Sequence, residues 1–213
     1  MGATAVKGSL RVFCLAMITT LGAVEAMAIE EAAYTVVTTD DNYEIRDYAP
    51  HVVAETLVEG TLEEAGNTAF NRLFRYISGG NRSREKVAMT APVSQRPQGE
   101  KIAMTAPVAQ QRVQERWAVS FMMPASYTLE TLPVPEDPQV TLRQVPARRM
   151  AAVRYSGSWS EKGYLRHKAE LESWMRAKGL ASAGDPQWAR YNSPFSLWFL
   201  RRNEIIIPVA GNF

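Results

Sequence analysis

The stretch from Glu44 to Ile77, EIRDYAPHVVAETLVEGTLEEAGNTAFNRLFRYI, has a counterpart from Thr141 to Trp174, TLRQVPARRMAAVRYSGSWSEKGYLRHKAELESW. Laid over one another without gaps, at an offset of 97 positions, they agree in pattern more than in letters. Arg46 meets Arg143, Ala54 meets Ala151, Gly60 meets Gly157, Glu64 meets Glu161 and Gly66 meets Gly163; Ile45 pairs with Leu142 and Thr61 with Ser158. In the first copy Tyr43–Tyr48 and His51–Val58 carry strand character, interrupted at Pro50, which has no ladder donor. Gly60 ends the strand, Thr61 is placed to cap a helix, and Glu63 and Glu64 favour its first turn. Gly79-Gly80 stops that helix after Ile77. The second copy repeats the plan: strands over 140–145 and 149–155, then Gly157, a cap at Ser158 or Ser160, and a helix reaching Lys178 before Gly179.

Working outward, further strands are expected at 86–93, 101–108 and 112–123 after the first helix, and at 188–191 and 204–209 after the second. Three prolines within 132–139 mark a linker between halves. One such half cannot bury its sheet face alone, so the two are expected to share a core. The expected fold is α+β: two helices packed on one curved antiparallel sheet or barrel, each half a strand, a helix and further strands. A tighter repeat lies inside the first half, where Lys86-Val87-Ala88-Met89-Thr90-Ala91-Pro92-Val93 recurs as Lys101-Ile102-Ala103-Met104-Thr105-Ala106-Pro107-Val108. It reads as a β-hairpin with alternate side chains turned inward. Its methionines also suit a surface that grips a flat apolar ligand, since thioethers adapt to aromatic faces.

Residues 1–28 differ from the rest. Lys7 and Arg11 precede a mostly apolar stretch from Val12 to Ala23 that is short for a bilayer span, and Ala26-Met27-Ala28 is a small-x-small cleavage signature. The segment reads as a signal peptide cleaved near Ala28, sending a mature chain of 29–213, with no membrane span, to the periplasm or out of the cell. An uncleaved N-terminal anchor is the alternative. The chain's one cysteine, Cys14, falls inside this segment, so the remainder has no means of forming a disulfide, a thiolate metal site or the C-x-x-C-H attachment of covalent haem. A formal net charge of +2, without a basic stripe, gives no electrostatic case for nucleic acid.

Four runs in order, Tyr43-Glu44-Ile45-Arg46-Asp47-Tyr48, the Lys86 to Val93 run, Tyr191-Asn192-Ser193-Pro194 and Arg201-Arg202-Asn203-Glu204-Ile205, resemble the SOUL haem-binding protein family. The likeness spans most of the chain after residue 28 and implies one SOUL haem-binding domain over 29–213. It implies a distorted antiparallel β-barrel flanked by two helices and built from two pseudo-symmetric βαβββ-like halves, binding haem (b-type, non-covalent) or another porphyrin in a shallow apolar groove beside the first helix. It also implies a role as tetrapyrrole carrier, buffer or scavenger of the cell envelope. A more distant likeness is to GyrI-like domains, which leaves two alternatives: a binding module for another amphipathic small molecule, or a small-molecule hydrolase.

A haem is a flat apolar disc with two carboxylates on one edge, so its site needs an apolar face and cations at the rim. Asn67, Phe70, Asn71 and Phe74 lie at i, i+3, i+4 and i+7 and share one helix face, with Arg72 and Arg75 beside it. On spacing alone, Phe70, Leu73, Phe74 and Ile77 read rather as the helix's core face, since apolar stripes at helical spacing are usually core. The family's groove positions map onto Asn67, Phe70, Phe74 and Arg75. Asn67 and Ser196 stand where relatives carry basic residues, and Arg201 or Arg202 are candidate substitutes. For the metal, a histidine proposed as ligand in some relatives falls at Asp47. His167, opposite Phe70 at the 97-position offset, is the candidate axial ligand, against the alternative of a half-buried, hydrogen-bonded histidine. His51 reads as a surface histidine, and Met89 and Met104 are weaker ligand candidates. No nucleophile elbow, zinc-protease motif or phosphate loop is present, so no catalytic residue is assigned and no enzyme is expected. Glu204 is the one carboxylate considered as a general base, with a structural salt bridge as its other reading.

Overall fold

A computed structural model describes residues 29–84 and 99–211. In chain order its elements are β1 (Tyr34–Asp40), β2 (Tyr43–Tyr48), β3 (His51–Val58), α1 (Leu62–Ile77), β4 (Asn81–Arg82), β5 (Val108–Val113), β6 (Arg116–Met122), β7 (Val134–Pro135), β8 (Thr141–Val145), β9 (Arg148–Tyr155), α2 (Glu161–Ala177), β10 (Gln187–Arg190) and β11 (Asn203–Pro208). Nine strands form one curled antiparallel sheet in the order β1-β2-β9-β11-β10-β5-β6-β3-β8, and β4 pairs with β7 separately. The α+β architecture expected from the repeat is present, with the sheet curled as a half-barrel.

The order of the sheet carries the internal repeat. Exchange each strand of one half for its counterpart (β2 for β8, β3 for β9, β5 for β10, β6 for β11) and the order from β2 to β8 reads back unchanged. Register follows the same rule: Arg46 faces Met150, and 97 positions on and back Arg143 faces Val53. Each half therefore lends its first strand to the other, β2 lying against β9 and β8 against β3. The helices obey it too, α1 packing on β3 and β6, α2 on β9 and β11. Ile45, Leu62 and Trp117 of the first half join Val153, Leu171 and Trp188 of the second in one apolar cluster, so the core is shared.

Helix α1 forms where its sequence dictates. The Thr61 hydroxyl accepts from the Glu64 amide at 3.3 Å and the Glu64 carboxylate accepts from the Thr61 amide at 3.2 Å, a complete capping box. Leu62, Ala65, Ala69, Leu73 and Tyr76 are buried along one side. Fully burying the larger of these stabilises the fold by about 1.5–3 kcal/mol each. Thr61→Ala removes the cap and is expected to lower stability by about 1 kcal/mol; chemical denaturation reads this, and an unchanged midpoint would show that the cap adds nothing. Ser160 caps α2 in the same way, accepting from the Gly163 amide.

Two expected strands are corrected, and two features go beyond the sequence reading. Residues 101–108 do not form a strand: Ile102 donates to Ile77, the Thr105 hydroxyl donates to the Met122 carbonyl and Ala106 donates to Glu30. Those bonds go to three different elements, and Pro107 has no donor, so no ladder propagates until Val108. The 112–123 run is broken by a turn at Gln114, whose φ of 55° is left-handed, giving β5 and β6 as a hairpin. The strand β1 was not anticipated; it is an edge strand exposed along most of its length and lacks the alternation that marks a half-buried strand. The 132–139 linker is fastened, with Leu132 fully buried and Val134–Pro135 paired to Asn81–Arg82. The 86–93 run, Met89 and residues 1–28 lie outside the described residues. No helix among the described residues is long and apolar enough to cross a membrane.

Candidate functional site

A hollow of about 540 Å³ opens beside α1, large enough for a small-molecule ligand, whose sites run roughly 300–1,000 Å³. A second hollow, on the sheet face turned from the helices and lined by His51, Tyr48 and Met150, has room for only about 70 Å³. The larger one lies at the junction of the halves. One wall is α1, where Gly66, Phe70 and Phe74 form a row at i, i+4, i+8 and Asn67 and Asn71 form the row beside it. The second wall is the extended run Met104, Thr105, Ala106 with Val108. The third comes from the other half: Trp159 before α2, Arg190 at the end of β10, and the loop from Tyr191 to Phe195.

Four of the residues expected at the site, Asn67, Phe70, Asn71 and Phe74, thus share one hollow. Phe70 and Phe74 stack with ring centroids 5.9 Å apart and planes 9° from parallel, and Phe70 meets Phe121 edge-on at 5.4 Å. Phe121 anchors Phe70 in the core cluster, while Phe74 remains 47% exposed. Core packing and groove lining are therefore divided between the two phenylalanines. Phe195, at the end of that loop, and Leu197, Trp198, Phe199 and Leu200 after it are all exposed.

The remaining expected residues lie elsewhere. Arg75 continues the Asn67–Asn71 row one turn on, exposed and outside the lining. Arg72 turns away, donating to the Thr56 hydroxyl at 2.7 Å and pairing with Asp137 at 3.3 Å. Ser196 sits next to Phe195 in a turn whose carbonyl accepts from Arg201. Arg201 is held by that bond and by the Pro194 carbonyl, over the Trp159 ring, and Arg202 pairs with Glu204 and Glu31. Neither arginine lines the hollow.

His167 is not brought to the hollow. Its ring stacks on Tyr155 at 3.8 Å, Nε2 accepts from Arg166 at 2.9 Å and Nδ1 donates to Glu170 at 2.7 Å. Both ring nitrogens are thus engaged by neighbouring side chains. His51 lines the small hollow, half-buried, and burial depresses its pKa. Of the candidate axial ligands among the described residues, Met104 alone reaches the large hollow. Asp47, where some relatives place a histidine, accepts from Arg149 Nε and Nη2, each at 2.7 Å.

Glu204 has the structural role. It is fully buried, accepts from Arg46 at 2.7 and 3.1 Å, from the Tyr191 hydroxyl at 2.8 Å and from Arg202 at 3.0 Å. Burial alone would raise its pKa, but Arg46, Arg202 and Tyr191 outweigh burial and hold the carboxyl below its usual range. A carboxylate so saturated is a poor general base, and no Asp, Glu or His lines the large hollow among the described residues. Three of the four sequence runs meet at this one side chain.

Sequence reasoning missed the cation that the hollow does contain. Arg190 lies over the rings of Trp159 and Trp188 at 5.2 and 4.8 Å and donates from one terminal nitrogen to Gln110 Oε1 at 2.7 Å. Burial pulls its pKa down to about 10, which still leaves it charged at neutral pH. Trp159 is fixed in turn by Asn203, whose Oδ1 accepts from the indole at 2.9 Å. The signals available were position and type: Arg190 directly precedes the Tyr191-Asn192-Ser193-Pro194 phrase, and Asn203 belongs to the Arg-Arg-Asn-Glu run.

Comparison with known proteins gives the fold and the kinship separately. A hydrolase from Listeria innocua superposes with a TM-score of 0.53 at 12% identity, covering 82% of this chain and 94% of that one. The C-terminal domain of EcmrR superposes at 0.50 and 12%, covering 83% and 98%. At these identities the likeness is one of fold. By sequence, heme-binding protein 1 of Xenopus tropicalis is 24% identical over 169 residues, 76% of this chain and 84% of its own length. The model of the family described as SOUL heme-binding protein matches residues 29–208, nearly all that follows the N-terminal segment, and on that extent of match the chain belongs to the SOUL heme-binding protein family.

Proposed function

We propose that this protein binds a tetrapyrrole, haem or another porphyrin, non-covalently in the hollow beside α1, as a carrier, buffer or scavenger rather than a catalyst. The observation that carries the reading is the pair Phe70 and Phe74: stacked, on the rim of an apolar hollow of sufficient volume, with Phe74 left half in solvent. Such a face costs solvation free energy in the empty protein and regains it when a flat apolar ring covers it. The donor set fits the group. Phe70, Phe74, Met104 and Phe195 supply apolar surface, Asn67 and Asn71 supply amide donors along the helix, and Arg190 supplies positive charge. Haem brings its own iron chemistry when bound; the chain's part is to hold the ring and shield one face. A wall poor in strong ligands suits transfer of the ring more than redox work, because the axial ligands set the potential. Export to the periplasm or beyond, after cleavage near Ala28, is part of the same proposal.

Titration of the purified protein with haemin tests it. A shifted Soret band saturating near one equivalent is expected, with a dissociation constant of about micromolar or tighter. A spectrum identical to free haemin across the titration rejects the reading.

A further inference from the structure

Among the described residues, Arg190 is the charged side chain lining the hollow, and it has no carboxylate partner. Other arginines of the same runs are matched: Arg202 by Glu204 and Glu31, Arg46 by Glu204 and Glu44, and Arg201, which shares the Trp159 ring with Arg190, by two loop carbonyls. Arg190 faces no carboxylate among the described residues; its sole protein acceptor there is the neutral amide of Gln110, and its Nε is buried with no hydrogen-bond partner. A half-buried cation whose Nε is enclosed and which has no counter-ion is costly, and proteins generally pair or solvate such groups.

The surroundings hold the guanidinium in place. Gly66 lies against it: a Cβ at that position would stand 2.7 Å from Arg190 Nη2 and 3.1 Å from Gln110 Oε1, so only glycine admits this approach of helix and arginine. Trp159 and Trp188 lie under it, and Gln110, itself fully buried, is pinned by donating to the Leu62 carbonyl at 2.7 Å. A pinned, planar, unpaired guanidinium in an apolar hollow is the arrangement that recognises a carboxylate, since the pair is strong where water is excluded.

We propose that Arg190 is the anion anchor of this hollow, so that its ligand must be an acid: a flat apolar body carrying a carboxylate, with esterified or uncharged analogues discriminated against. The proposal rests on the hollow being the binding site, and it explains how a chain with Asn67 and Ser196 in place of basic residues still meets a ring's acid edge. The cation comes from the opposite wall, on β10.

The test uses two flat probes of one size, pyrenebutyrate and pyrenebutanol, with binding followed by pyrene fluorescence on the full chain. The wild type is expected to prefer the acid by about tenfold to hundredfold, the worth of one charge-assisted hydrogen-bonded contact. Arg190→Met should bind both probes alike, with the alcohol's affinity unchanged. Gly66→Ala, which keeps the arginine but crowds its berth, should erode the preference, and it serves if Arg190→Met does not fold. Arg75→Met should retain the preference. Equal binding of acid and alcohol by the wild type, or a preference surviving Arg190→Met, overturns the proposal, as does its loss in Arg75→Met. Haemin titrations on the same samples separate the two claims. A Soret shift with equal affinity in wild type and Arg190→Met sinks the anchor alone; no Soret shift, with an Arg190-dependent preference for pyrenebutyrate, sinks the tetrapyrrole reading alone.

Discussion

Glu204→Gln is expected to destabilise the protein by about 3–5 kcal/mol, the usual cost of removing one partner from a buried ion pair. The substitution keeps the shape and removes the charge. Arg46, only 2% exposed, is left with its guanidinium facing an amide that can present N–H groups of its own. Tyr191 and Arg202 donate to different oxygens of the carboxylate, and glutamine keeps only one of them as an acceptor, so the loss reaches the loop that walls the hollow. The effect has a signature in pH. Because the folded carboxyl titrates below its ordinary value of 4.5, Glu204 contributes stability that is fully present above that value and is lost as pH falls through the folded pKa. In urea denaturation at about pH 7 the variant should fall well below the wild type, and at about pH 4 and lower the gap should narrow. A variant within about 0.5 kcal/mol of the wild type at neutral pH would mean that the buried pair adds nothing. Arg46→Met combined with Glu204→Gln should cost less than the two changes added, since the second removal no longer strands a charge.

The second large effect is on binding. Phe74→Ala is expected to weaken haemin by about tenfold to hundredfold, from lost apolar contact and stacking on a ring face. Its effect on stability should be small, about 1 kcal/mol or less, because nearly half of Phe74 already lies in solvent. Its neighbour gives the control. Leu73 is fully buried against the sheet, so Leu73→Ala should cost about 2–5 kcal/mol of folding and leave the affinity of the folded fraction unchanged. Two adjacent residues would thus separate the two faces of one helix, Leu73 holding the fold and Phe74 the ligand. If Phe74→Ala titrates with haemin as the wild type does, the ring does not lie against α1, and the function would rest on family membership alone.

What could be read in advance was local. The limits of β2, β3 and α1 follow from Pro50, Gly60, Thr61 and Gly79, because breakers and caps act within a few residues of themselves. The helix period put Asn67, Phe70, Asn71 and Phe74 on one side for the same reason. Spacing did not say whether that side was covered; that depended on β10 and its loop, more than 100 positions away, leaving a gap. Arg190 was illegible as a site residue because it reaches the hollow only through strand pairing between halves. His167 shows the converse error. It occupies the repeat position of Phe70, but the two helices have different neighbours, and Tyr155 and Glu170 claim its ring. Extended segments were read too simply where hydrogen bonds go to scattered partners, as at 101–108.

The exchange of first strands between halves bears on how the chain acquires its shape. Tyr43 must wait for Val153, 110 residues later, before β2 has its inner neighbour. The middle of the sheet waits longer still, because β11, from Asn203 to Pro208, is the strand that bridges β9 to β10. Until that last segment leaves the ribosome, the nascent polypeptide holds two unjoined ribbons, β1-β2-β9 and β10-β5-β6-β3-β8. Partners so distant in sequence make for high contact order and slow, late folding. A stop codon ahead of Asn203 would then do more than trim a tail: it would leave a product cut through its centre.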